Sequence, residues 1–175
     1  MWGWVLVGNA PPPPDKHPLI VNNRHMIHLE IDEKFAGQVQ ETLLERAANE
    51  TLKHEGTALD TELTIVITED SNLQRLNQQF LGIDAPTDVL SFPSGDINPE
   101  TGETYLGDIL ISYPQAEAQA EAAGHPVEAE VQLLVIHGIL HLLGYDHADP
   151  EGKKRMWDCQ DKILGALRGS IHLAD

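Results

Sequence analysis

The chain reads as an α/β or α+β domain, and three observations carry that reading. Four segments, 25–31, 62–68, 89–93 and 105–112, have the apolar alternation or β-branched composition of strands. About five segments with helical apolar spacing are interleaved with them. The length of 175 residues and the 41% hydrophobic content suit one domain with a sizeable core, and no repeat or internal linker divides it.

The elements follow in order. Residues 1–24 begin MWGWVLVGNAPPPPDKH; the four prolines Pro11–Pro14 make a stiff spacer, so this stretch is expected to be a flexible extension. Its apolar run, Met1–Val7, is too short to span a membrane, and no other segment approaches that length. HMIHLEI (25–31) alternates as a strand does. From Asp32 or Glu33 to about Lys53 the spacing predicts a helix, closed near Gly56. ELTIVIT (62–68) is a β-branched strand. SNLQRLNQQFL then opens a helix capped by Asp70 or Ser71, which stops before the turn-rich GIDAPTD. VLSFP (89–93) and YLGDILIS (105–112) are strands joined by SGDINPETGET, a loop with hairpin chemistry. Pro114 opens a helix that Gly124 closes. VEAEVQLLVIHGILHLLG is a longer helix, apolar nearly all round in its second half and therefore central and buried. A last helix runs from Pro150 to about Arg168, leaving 169–175 as a tail and 25–168 as the folded domain.

HGILHLLGYDH (137–147) is the most informative segment. His137 and His141 are four apart, one turn apart on the same helical face. Gly144 permits a turn that swings His147 back toward them. Three imidazoles with one open position is the ligand set of a catalytic zinc, and one Zn2+ per chain is expected. A closed structural site would want a fourth ligand, and Cys159 stands twelve residues further on. The spacing equals that of the metzincin proteases, H-E-x-x-H-x-x-G-x-x-H, but position 138 is glycine. Peptide hydrolysis by that route therefore lacks its glutamate base. Zinc itself lowers the pKa of water to about 7, and RNA carries an internal nucleophile in its 2′-hydroxyl, so a nuclease remains open.

Composition bounds the rest. One cysteine excludes an internal disulfide and fits a reducing compartment. The formal charge of −17 argues against a nucleic-acid partner unless basic residues cluster. Lys153, Lys154 and Arg155 do cluster, close in sequence to the histidines, although a solvated helix face is an equal reading.

HGILHLLGYDH, with PTDVLSFP (86–93) and LGDILIS (106–112) in that family's order, resembles the YbeY family of bacterial endoribonucleases over residues 25 to 168. The resemblance implies a small mixed sheet with the zincin-like metal helix lying across it. It also implies metal-dependent cleavage of single-stranded RNA in ribosomal RNA maturation and ribosome quality control. The implied location is the cytoplasm, and the implied partners are ribosomal RNA and the small ribosomal subunit. The family's three zinc ligands carry over to His137, His141 and His147. One position departs: where many members have an arginine thought to hold substrate phosphate, this chain has Leu81. Arg75, six residues earlier on the same helix, is the candidate substitute.

Other roles stay open at this level. His137 and Asp146 are the candidates for catalytic work; Asp146 either accepts the N–H of a ligand histidine or caps its turn. Ser91 and Phe92 are candidates to line a substrate cleft, where Phe92 could stack on a base, although core packing is the favoured reading for it. Asp88 and Asp108 are expected to be structural, His125 after Gly124 is expected to be exposed, and His25, His28 and His54 show no recognisable partner spacing. Two rival functions remain: a non-catalytic zinc-containing ribosome-assembly factor, and a zinc peptidase or esterase.

Overall fold

The computed structural model describes residues 25–172; the extension expected at 1–24 lies outside them. Among the described residues, four strands and five helices follow one another as β1 (Met26–Ile31), α1 (Glu41–His54), β2 (Thr61–Thr68), α2 (Asp70–Leu81), β3 (Val89–Pro93), β4 (Thr104–Ser112), α3 (Tyr113–Ala123), α4 (Val127–Leu142) and α5 (Pro150–His172). The sheet order is β1-β2-β4-β3. β1, β2 and β4 are parallel, and β3 returns antiparallel along β4, so the sheet is mixed.

Strand alternation gives the sheet two unlike faces. Leu63, Ile65, Ile67, Ile109 and Ile111 are fully buried and join Leu44, Ala47 and Leu52 of α1 and Val131, Val135 and Ile139 of α4 in one core. The other face is mixed: Val66, Leu110, Leu90 and Phe92 lie on it, beside a polar patch. Thr64, Tyr105 and Asp108 form a hydrogen-bonded row there, the tyrosine hydroxyl donating to Asp108. Asp108 is thus structural, as expected, and it points away from the helix that carries the histidines.

Two glycines let α4 lie close on the sheet. A Cβ at Gly138 would stand 2.7 Å from Ile109 Cγ2. One at Gly107, where φ is +145°, would stand 2.2 Å from the Phe92 carbonyl oxygen and 3.0 Å from Leu142. Gly107 also follows the register shift between β2 and β4. Glycine at 138 is therefore a packing requirement: the glutamate of the metzincin pattern has no room there.

Two boundaries differ most from expectation. α1 begins at Glu41; residues 33–38 form turns instead. Asp32 accepts from the Lys34 and Phe35 amides, and the turn delivers Phe35 onto Tyr113 with ring centroids 4.9 Å apart, burial that a helix through Gly37 would not provide. At the other end α5 continues through His172, so the expected tail begins inside a helix. α2 starts at Asp70 with Glu69, and not the expected Asp70 or Ser71, as its cap residue, and it ends on Gly82 in the left-handed conformation. The Asp70 carboxylate is engaged by the Ser112 hydroxyl and the Gln115 amide, tying α2 to α3.

Candidate metal centre and its surroundings

α4 is apolar on almost every side, so packing against β3, β4, α1, α3 and α5 buries its second half, histidines included. His137 and His141 are 5% and 3% exposed. The helix ends at Leu142, and Gly144, at φ +101°, turns the chain so that His147 comes back. The ligand atoms of His137, His141 and His147 lie within 4.8 Å of one another, a group that could hold a metal ion. The expected trio is thus brought together.

The chemistry of the donor set fits a cation. His137 Nδ1 is 2.5 Å from Gln160 Oε1. A carbonyl oxygen only accepts, so Nδ1 carries the proton and the neutral ring presents a bare Nε2. That Nε2 faces His141 Nε2 at 3.0 Å. Two imidazole nitrogens in that position either share a proton or together face a cation. Burial, with His141 adding its charge, lowers the pKa of His137 to about 3. Burial, with His147 adding, lowers that of His141 to about 4. Burial also lowers that of His147. All three rings are therefore neutral near pH 7, the form that ligates.

Gln160 was not among the expected residues. It is buried on α5 in line with Met156, Ile163 and Leu167, an apolar helical stripe. A polar residue inside such a stripe is the one sequence signal that marked it. Asp146 takes the other of its two expected roles. Its Oδ1 accepts the Ala148 amide at 3.0 Å and stands 3.8 Å from His147 Nδ1, beyond hydrogen-bond length, so it caps the turn.

The expected substrate residues are dispersed. Ser91 faces α4 but spends its hydroxyl on the Gly138 carbonyl, 3.1 Å away. Phe92 pairs in register with Asp108, on the face opposite Ile109 and α4, and packs edge-on against Phe80 of α2. Arg75 is exposed on α2, which packs chiefly on β3, β4 and α3. Asp88 binds the Val89 amide and Gln119 and is structural. His28 and His125 meet Glu62 and Glu130 at 2.9 and 3.1 Å.

The open side of the centre is instead bordered by α5. Trp157, 41% exposed, has its ring centroid 6.1 Å from that of His137 and 6.2 Å from that of His147. Lys153 Nζ sits 5.4 Å from the Trp157 ring. Arg155 lines a hollow of about 320 Å³ beside the turn that carries Asp146. Of the basic triplet, Lys153 thus stands beside the tryptophan that borders the histidines, and Arg155 stands beside the Asp146 turn. Lys154 is the exception, being paired with Asp158 at 2.6 Å.

Comparison with known proteins agrees with this geometry. The sequence profile described as Endoribonuclease YbeY matches residues 26–168. Among curated relatives, an Endoribonuclease YbeY of Roseiflexus castenholzii is 44% identical, covering 81% of this chain and 92% of its own. That of Pelotomaculum thermopropionicum is 42% identical, covering 86% and 97%. Among solved structures, the solution structure of TM1509 from Thermotoga maritima aligns with a TM-score of 0.56 at 31% identity, covering 83% of this chain and 93% of that one. Motif, fold and kinship over nearly all the described residues agree, and the chain belongs to the YbeY endoribonuclease family.

Proposed function

We propose that the protein is a zinc-dependent endoribonuclease that cuts single-stranded RNA, acting on ribosomal RNA during maturation and quality control of the small subunit in the cytoplasm. The observation that carries the reading is the three-histidine cluster, neutral and buried on one side and bordered on the other by an exposed tryptophan with Lys153 over its ring. Among the described residues no helix is long and apolar enough to cross a membrane.

His137, His141 and His147 would hold the ion, and imidazole-only ligation favours zinc. When bound, the ion supplies positive charge at the phosphoryl oxygens and acidifies water. The chain does the rest. Gln160 keeps the proton of His137 on Nδ1, so Nε2 faces inward. Trp157 offers a flat face on which an unstacked base can lie, a contact open to single strands and closed to a duplex. Lys153 and Arg155 offer cationic groups to phosphates, taking over from the arginine that Leu81 lacks. Their position also answers the objection from the −17 charge, because the acidic balance is a property of the whole surface and these groups are local.

The peptidase alternative meets the Gly138 packing, which leaves no space for the glutamate base. The reading is tested by incubating a ribosomal RNA fragment with single-stranded ends, and a fully paired duplex, with protein stripped of metal and then reloaded. Cleavage of the single strand only, lost on chelation and restored by zinc, is expected. Cleavage that survives complete metal removal would overturn it.

A further inference from the structure

The middle of α5 and the end of α1 carry another constellation, on residues the RNA site does not use. His54 ends α1 and Glu55 is its cap residue. Cys159 lies on α5, 7% exposed. Cys159 is more than a hundred positions from the other two in the chain, yet its Sγ is 3.0 Å from Glu55 Oε1 and 3.8 Å from His54 Nδ1. All three donor atoms fall within 4.8 Å of one another. Tyr145 neighbours Glu55 and Cys159 from the side of the His147 turn, and with burial they raise the pKa of its hydroxyl.

We propose that His54, Glu55 and Cys159 form a second site for a zinc-like divalent cation, distinct from the three-histidine centre. Four physical points support it. Thiolate, imidazole and carboxylate are the three donor types that zinc accepts, at about 2.3, 2.0–2.1 and 2.0–2.2 Å. Donors arranged tetrahedrally at those lengths stand about 3.5 Å apart, and the observed 3.0 and 3.8 Å bracket that value. The cluster sits at the C-terminal end of α1, where the carbonyl ends of the peptide dipoles favour a cation. Tyr145 neighbours the carboxylate that would ligate, and polar groups around zinc commonly support its ligands. On binding, the S–H bond breaks; sulfur keeps the electron pair and donates it to the ion, and the proton leaves to solvent. The ion would pin the end of α1 to α5 one residue before Gln160, and to the turn that brings His147 home.

The chain has a single cysteine, which makes the test specific. The reduced full-length protein, stripped of metal, is titrated with Co2+ and followed by absorption. A sulfur-to-cobalt charge-transfer band in the near ultraviolet can come only from Cys159, because the three-histidine centre has no sulfur. The band is expected in the wild type and in His141→Ala, and expected to vanish in Cys159→Ser. It should also be lost or strongly weakened in His54→Ala, whose side chain is exposed, so the fold is spared. Zinc bound per chain should fall by one equivalent in Cys159→Ser. No band at saturating cobalt in protein whose thiol titrates as free would overturn the proposal. So would a band indifferent to His54→Ala and Glu55→Gln. Neither result depends on RNA cleavage.

Discussion

Replacing Gln160 with leucine removes one hydrogen bond and almost no volume, and it isolates the contribution of the group behind the metal centre. In the native chain the His137 Nδ1 proton goes to Gln160 Oε1 at 2.5 Å, with both residues buried. Leucine has no acceptor, and the site leaves little room for water. The buried N–H is orphaned, which costs the metal-free fold about 1–3 kcal/mol. The proton also loses its reason to stay on Nδ1; once it moves to Nε2, the ligand nitrogen is blocked. Loss of such a partner weakens metal binding by about 10- to 100-fold, or about 1.4–2.7 kcal/mol. The assay is competition for zinc against a chromophoric chelator, with urea unfolding of the metal-free protein alongside. Gln160→Glu keeps an acceptor at the same place and should bind zinc at least as tightly as the wild type. A Gln160→Leu protein that is folded and binds zinc with wild-type affinity would refute the argument that this bond sets the tautomer.

Three further outcomes are expected. Gly138→Ala places a methyl 2.7 Å from Ile109 Cγ2; overpacking of about 1–3 kcal/mol exceeds a helix-propensity gain of about 1 kcal/mol, so the urea midpoint should fall, and a rise would show that α4 does not lie this close to β4. The metal-free protein should lose stability in acid. His137 and His141 take up protons at about 3 and 4 when folded and near 6.5 when unfolded. Between those values the unfolded chain binds more protons, so this contribution is complete above about pH 6.5 and declines as pH falls toward 4 and then 3. A His137→Gln/His141→Gln protein should show a shallower acid loss in urea titrations from pH 7 to 4, and an unchanged slope would count against the burial argument. Trp157→Ala should weaken binding of a cleavage-resistant single-stranded oligonucleotide by about 5- to 150-fold, the equivalent of one base stack worth about 1–3 kcal/mol; Trp157→Phe should retain most of the affinity, and fluorescence anisotropy that shows no loss in the alanine protein would remove Trp157 from the RNA path.

How far the sequence could be read depended on the range of the interaction. The strands at 62–68 and 89–93 and the helix over the histidines rest on local periodicity, and they stand within two residues of expectation. The His137–His141–His147 cluster was legible because helical pitch and one glycine turn suffice to join three residues within eleven positions. The start of α1 was not, because the turn at 33–38 is decided by where Phe35 finds Tyr113, far along the chain. Ser91 and Phe92 were assigned to a cleft without knowledge of strand pairing. The register of β3 on β4 places them on opposite faces and takes Phe92 to the Phe80 side. Gln160 and Trp157 were missed for a similar reason. They reach the centre only because α5 folds back over α4, a packing that no local pattern encodes. Gly138 was read as a missing base; packing against Ile109 gives it a positive role instead.

The central claim is that the three histidines hold the ion that RNA cleavage uses. The most direct measurement sets zinc-loaded wild type beside His141→Ala, purified identically and shown by circular dichroism to be folded, on one ribosomal RNA fragment with single-stranded ends. The account predicts defined cleavage products from the wild type and none from the variant, together with loss of zinc from the three-histidine centre. Equal cleavage by both proteins, or no cleavage by a wild type that carries its zinc, would contradict it.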